Sequence, residues 1–207
     1  TMPESTELVT VYDRMAGGLW AMGDVVGALP WAEKALSLAE RLKDFEGIAR
    51  SYYQLGTIFA STDANKSAGY FEKALKIALD KGYTEIALRT YNNLAVSLLD
   101  EEFERHFECL DKGFELAKKA GDVSLQSWLG GNLAEMYMDM GNMDKAVFLA
   151  EESVASDRKS RSVWHLSMSL SLLSGVYRVL GEWDKAEEHG QEALNISQRL
   201  KDFQTLA

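Results

Sequence analysis

Residues 129–154 read LGGNLAEMYMDMGNMDKAVFLAEESV, and their spacing decides the fold. Leu129, Leu133, Met136, Tyr137 and Met140 recur three and four residues apart, so they share one face of a helix. Gly141-Asn142 ends that pattern. Glycine accepts the left-handed backbone that closes a helix, and asparagine offers a side-chain acceptor that opens the next one. A second apolar stripe follows through Ala146, Leu149, Ala150 and Val154. The stretch is therefore a helical hairpin, helix A then helix B. One hairpin cannot bury its apolar face alone, so it needs stacked neighbours.

The rest of the chain supplies them. Ala134 is a small residue in the middle of helix A, and its counterparts are Ala16, Gly56, Ala95 and Ser174, at intervals of 40, 39, 39 and 40 residues. An apolar residue precedes each: Met15, Leu55, Leu94, Leu133, Leu173. Three positions after each stands Leu19, Phe59, Leu98, Tyr137 or Tyr177. About twenty residues on comes a pair such as Ala35-Leu36, Ala74-Leu75 or Ala193-Leu194. Gly23-Asp24 and Gly181-Glu182 repeat the break between helices. A small residue mid-helix lets two helices approach closely, and the larger one beside it fills the adjoining gap.

This periodicity predicts an all-α solenoid of about five antiparallel helical hairpins over residues 8–201. Residues 1–7 read as a polar leader. Residues 202–207 read as the start of a sixth repeat or a capping helix, because KDFQTLA at 201–207 echoes the phrase at 43–49. The chain is accordingly expected to be a piece of a longer protein. The turns around Thr62-Asp63-Ala64-Asn65 and Asp100-Glu101-Glu102 lack the glycine and are one residue shorter, which predicts a tighter bend. Pro30, inside a helix B, removes a backbone donor and is expected to kink or loosen it.

The net charge of −10, with scattered basic residues, is ill suited to collecting phosphates or an anionic membrane surface. No apolar run approaches the ~18 residues that a membrane span needs. Cys109 is the single cysteine and can form no internal disulfide. These features predict a cytoplasmic protein that touches neither nucleic acid nor membrane.

Chemistry is thinly represented. His106 and Cys109 stand three apart on a predicted helix, but no further cysteine and no zinc-type carboxylate-histidine pattern completes a metal set. Gly17-Gly18 and Gly130-Gly131 lead into helix without the Gly-Lys-Ser/Thr end of a phosphate loop, so close helix packing accounts for them. Glu101-Glu102 and Glu151-Glu152 read as solvated faces. No catalytic residue, cofactor or metal is expected, and the chain is read as a non-enzyme.

The five-fold phrase resembles the tetratricopeptide repeat family: small residue, aromatic three on, glycine at the turn, alanine opening helix B, then an Ala-Leu pair. Here it is Ala134, Tyr137, Gly141, Ala146 and Ser153-Val154, then Ser174, Tyr177, Gly181, Ala186 and Ala193-Leu194. The period is longer than the family's usual one and resembles the repeats of kinesin light chain and of bacterial signalling proteins. The family's helix-ending proline is absent. The resemblance implies a right-handed superhelix whose helices A line a concave groove, and a role in protein–protein interaction.

It also implies contact positions on helix A: Thr10, Asp13, Gly17 and Trp20; Arg50, Tyr53, Thr57 and Ala60; Arg89, Asn92, Val96 and Leu99; Trp128, Gly131, Glu135 and Met138; Met168, Ser171, Gly175 and Arg178. The candidate partner-binding residues are Trp20, Arg50, Tyr53, Arg89, Asn92, Trp128, Glu135, Met138 and Arg178. Arginine with aromatic residues is the composition of a binding hot spot, although each can equally pack on a neighbouring helix. Arg50 and Arg89 share a register, so an acidic segment or terminal carboxylate is the expected partner chemistry. The favoured function is a scaffold that binds a peptide or neighbouring domain, within a larger signalling or regulatory protein. The alternative is a structural spacer, or a self-association element that forms homodimers through its terminal repeats.

Overall fold

A computed structural model describes residues 3–98 and 103–205, with side chains as far as residue 200. Among these residues all regular structure is α-helical: α1 Thr6–Ala21, α2 Val25–Leu42, α3 Phe45–Phe59, α4 Ala64–Lys81, α5 Thr84–Ser97, α6 Phe103–Ala120, α7 Val123–Asp139, α8 Met143–Ser160, α9 Val163–Leu180 and α10 Trp183–Thr205. Odd-numbered helices are helices A of the sequence repeat and even-numbered ones are helices B. The fold is all-α, built of sequential hairpins. It divides into two compact units, residues 1–109 and 110–207, with α6 passing through the boundary.

One residue often closes one helix and opens the next. The Asp24 amide donates to the Leu19 carbonyl at 2.9 Å, while its carboxylate accepts from the Gly27 amide at 2.8 Å. Asn142 does the same between α7 and α8, and Asp122 between α6 and α7. Such a double cap requires the preceding residue to turn left-handed, and Gly23, Gly121 and Gly141 have φ of 83°, 71° and 76°. Lys43 and Arg161 take the same conformation without being glycine, at φ of 55° and 57°.

The glycine-free turn of the second repeat is not tighter. There α3 stops at Phe59, three residues past Gly56, whereas α1 runs to Ala21, five past Ala16. The missing residue is taken out of helix A, and residues 60–63 form the connection. The corresponding turn at residues 100–102 lies outside the described residues. Pro30 sits inside α2, which is helical on both sides of it. α1 begins at Thr6, capped by Ser5, within the stretch read as leader. α10 stays helical through residues 201–202, where the sequence echoes the break at Lys43-Asp44.

The reference positions lie where the helices meet. Ala16, Ala95 and Ala134 are buried, and Gly56 faces the Phe71 ring of α4 so closely that an added Cβ would lie 2.6 Å from it. Ser174 instead donates a 2.6 Å hydrogen bond to the Ala186 carbonyl of α10. Leu55, Leu94, Leu133 and Leu173 are buried beside them, while Met15 is exposed. Within the first unit α1 touches α3 and α3 touches α5; within the second α7 touches α9. Among the described residues no comparable backbone approach joins α2 to α4 or α8 to α10, although the Arg158 side chain of α8 reaches Glu192 of α10 at 2.8 Å. Each unit therefore draws its helices A together, and the helix-A face is its inner face.

Candidate functional site

The two arginines that share a register have different surroundings. Arg50 Nε donates to Asp13 Oδ2 at 2.9 Å, Nη2 donates to Thr10 Oγ1 at 3.3 Å, and Nη1 lies 3.5 Å from Glu46 Oε1. Asp13 is only 6% exposed and also accepts from Ser51 Oγ at 2.9 Å. Burial raises the Asp13 pKa, and Arg50 and Ser51 pull against that rise. Arg50 thus neutralises a carboxylate of the preceding helix A. It borders a recess with Glu7, Asp44 and Glu46, so its neighbourhood is acidic. Arg89 is 61% exposed and pairs with Glu85 at 3.0 Å. The position that Asp13 holds for Arg50 is filled for Arg89 by Tyr53, whose hydroxyl accepts from Asn93 Nδ2 at 3.1 Å. The expectation of an acidic partner rested on a local basic pair, and both members already face carboxylates.

Among the other candidates of the first unit, Trp20 is exposed at the end of α1. Asn92 is half-buried, with Nδ2 donating to Asn93 Oδ1 and its own Oδ1 buried without a hydrogen bond. Leu99 lies outside the described residues. His106 and Cys109 are both buried in α6: burial lowers the His106 pKa, and Cys109 Sγ donates to the Tyr91 carbonyl at 3.4 Å. Glu151, read as solvated, accepts from the Tyr177 hydroxyl at 2.6 Å, and Glu152 Oε2 is buried without a hydrogen bond.

The second unit gathers candidates into one place. A cavity of about 270 Å3 opens on its helix-A face, bordered by Trp128 and Glu135 of α7, Asp157 of α8, and His165 and Met168 of α9. Met138 and Arg178 are not part of its wall; Met138 is half-buried and Arg178 exposed. The frame around it is cross-bonded. Ser127 Oγ donates to the Ser153 carbonyl at 3.2 Å and Ser153 Oγ returns a bond to the Ser127 carbonyl at 3.0 Å, which fastens α7 to α8. Asn132 Nδ2 donates to the Trp128 carbonyl at 2.8 Å. His165 Nδ1 lies 2.8 Å from Ser162 Oγ, at the capping residue of α9. Glu135 stands at the accessible rim; packing about its carboxyl, and then the charge of Asp139, raise its pKa.

Asp157 is the residue that the sequence reading passed over. It is 1% exposed, and its Oδ1 has no hydrogen-bond partner. Its register carries the signal. The fifteenth residue of each helix B is Ala39, Ala78, Ala117, Asp157 and Ser197 in turn. The three alanines are fully buried. Repeat four places a carboxylate where its predecessors bury a methyl group. In repeat five the equivalent Ser197 hydroxyl meets Ser167 Oγ at 2.6 Å. Ser127 holds the place of Ser167, and both donate their hydroxyl proton to a helix-B carbonyl, at Ser153 and Ala193 respectively; Ser167 can still accept from the Ser197 hydroxyl, whereas Ser127 has no proton left to offer a carboxylate.

Comparison with known proteins agrees with this architecture. The profile of the family described as Tetratricopeptide repeat matches residues 7–80 and 123–199. The 43 kDa receptor-associated protein of the synapse from Tetronarce californica is 27% identical over 103 residues, which is 48% of this chain and 25% of that protein. The chain thus spans about a quarter of the length of this curated relative. The crystal structure of BtubC (BKLC) from P. vanneervenii superposes with a TM-score of 0.82 at 23% identity, covering 95% of this chain and 82% of that one. The nearly identical TPR-like repeats of a putative kinesin light chain from Podosopora anserina superpose with a TM-score of 0.74 at 19% identity, covering 96% and 99%. At these identities the likeness is one of fold. No helix among the described residues is long and apolar enough to cross a membrane.

Proposed function

Because the chain belongs to the tetratricopeptide repeat family, we propose that it is a protein-interaction module that receives a partner's polypeptide segment on the helix-A face of its second unit. It would serve as the recognition part of a larger signalling or regulatory protein of the reducing cytoplasm. One observation carries the reading: the cavity between α7 and α9 joins the indole of Trp128, the exposed thioether of Met168 and the carboxylates of Glu135 and Asp157. Apolar and polar groups converging in a concavity are what a side-chain anchor needs. The first unit supports the reading less, since Arg50 and Arg89 are paired internally.

The test is selection of displayed peptides on the native chain, followed by titration of the selected peptides against Trp128→Ala and against an exposed control, Lys159→Ala. Selected peptides should bind the control as they bind the native chain and bind Trp128→Ala at least about tenfold more weakly. Equal binding to all three proteins would move the site elsewhere. A mass that grows with concentration, without any selected peptide, would favour the self-association reading.

A further inference from the structure

We propose that the Trp128–Asp157 cavity is built for the guanidinium group of an arginine side chain carried by the partner segment; this rests on the interaction reading above. The argument begins with Asp157. A carboxylate buried to 1% exposure without a hydrogen bond to Oδ1 is costly, and folded proteins retain such a group only when something compensates it. Among the described residues nothing does so: no lysine, arginine or histidine lies within ion-pair distance of it, its chain neighbour Arg158 pairs with Glu192 at 2.8 Å, and Ser127 gives its proton to the Ser153 carbonyl. The register shows that the fold does not need an acid there, since Ala39, Ala78 and Ala117 fill the same position in other repeats.

The remaining wall points to a cation of one shape. Trp128 contributes an aromatic ring, the best surface for a cation to lie over. Glu135 adds a second carboxylate at the rim. Asn132, with its amide nitrogen bonded to the Trp128 carbonyl, keeps its oxygen as an acceptor. Guanidinium is planar, stacks on indole, offers a fork of donors to a carboxylate, and is more weakly hydrated than ammonium. It therefore leaves water for a half-apolar cavity at lower cost than a lysine does. Its charge also complements a chain of net charge −10.

The experiment follows the Trp128 indole N–H resonance, assigned by its loss in Trp128→Phe, during titration with acetyl-Ala-Arg-Ala-amide and its lysine and citrulline counterparts. The arginine peptide should shift the resonance saturably, the lysine peptide more weakly, and the neutral citrulline peptide not at all. Asp157→Asn and Asp157→Ala should weaken the arginine response by at least about tenfold while leaving the thermal midpoint equal to or above that of the native chain. An unchanged response in the Asp157 variants, equal responses to arginine and citrulline, or no response at millimolar peptide overturns the proposal. So does a lowered midpoint in both variants, because it assigns Asp157 an internal partner. If displayed peptides lacking arginine still bind the native chain and lose affinity for Trp128→Ala, the interaction reading stands and the arginine assignment alone falls. If selection yields nothing that distinguishes Trp128→Ala, both fall.

Discussion

The guanidinium of Arg50 on α3 is held by the buried carboxylate of Asp13 on α1, with Nε 2.9 Å from Oδ2. The two residues are 37 positions apart, close to one repeat, so the pair joins one helix A to the next. Its cost and its benefit both reside in Asp13, which burial drives toward the protonated form and Arg50 holds back.

Replacing Arg50 by alanine should therefore destabilise the chain by about 1–3 kcal/mol at neutral pH, since Asp13 is left with Ser51 alone. The sign with pH is fixed. An acid whose pKa is raised on folding binds its proton more tightly in the folded state, so its contribution falls as pH rises through the folded value. Without Arg50 the Asp13 pKa rises further. The deficit of Arg50→Ala should shrink as pH falls from 7 through the raised Asp13 value, because the carboxyl then takes up its proton and no longer needs the guanidinium. Denaturant midpoints of both proteins across that range check this; a deficit independent of pH would show that Asp13 is not the group left exposed to the loss.

The close approach at Gly56 predicts effects of opposite sign for two identical substitutions. Gly56→Ala puts a methyl group 2.6 Å from the Phe71 ring, which is itself buried between the helices. The expected loss is about 1–3 kcal/mol. Gly69→Ala, inside α4 with nothing within 4 Å of the new Cβ, should instead gain about 0.5–1 kcal/mol by raising helix propensity. Thermal melts of the two variants should move in opposite directions. Two shifts downward would place Gly69 against a neighbour.

Tyr177 on α9 donates to Glu151 on α8 at 2.6 Å, and that bond, followed by burial, pushes the tyrosine pKa up to about 12. Tyr177→Phe should cost about 1 kcal/mol at neutral pH. Between the ordinary tyrosine value of 10.0 and about 12 the folded state keeps a proton that the unfolded state has lost, so the advantage of the native chain over Tyr177→Phe should fall as pH rises through that window. Glu151→Gln should bring ionisation back toward the ordinary range, read by tyrosinate absorbance. An unaltered absorbance titration in Glu151→Gln would remove the carboxylate as the cause.

Much of the fold was legible because it is written locally. The helix-A stripes, the glycine-plus-Asp or Asn breaks and the small residues at Ala16, Ala95 and Ala134 follow from spacing three to four residues apart, and helix geometry turns such spacing directly into a face. The site was less legible. The contact register pointed to Trp128 and Glu135, which border the cavity, and equally to Arg50, whose role depends on a carboxylate 37 residues earlier. Asp157 went unread because its signal is a comparison among helices B, an acid in a column of buried alanines, and not a local motif.

Helices, their ends and their repetition are readable from the order of residues alone, because hydrogen bonding within a helix, capping and apolar periodicity are short-range properties of the chain. Packing between repeats sets which charges are paired internally and which, like Asp157, have no partner among the described residues. Arg50 and Arg89 are identical in type and register. One is committed to Asp13 because repeat one carries an acid at the corresponding position; for the other that position holds Tyr53, and Arg89 pairs with Glu85 on its own helix. The character of a charged side chain depends on the dielectric around it and on the groups brought within a few ångströms of it, and both are set by packing between repeats.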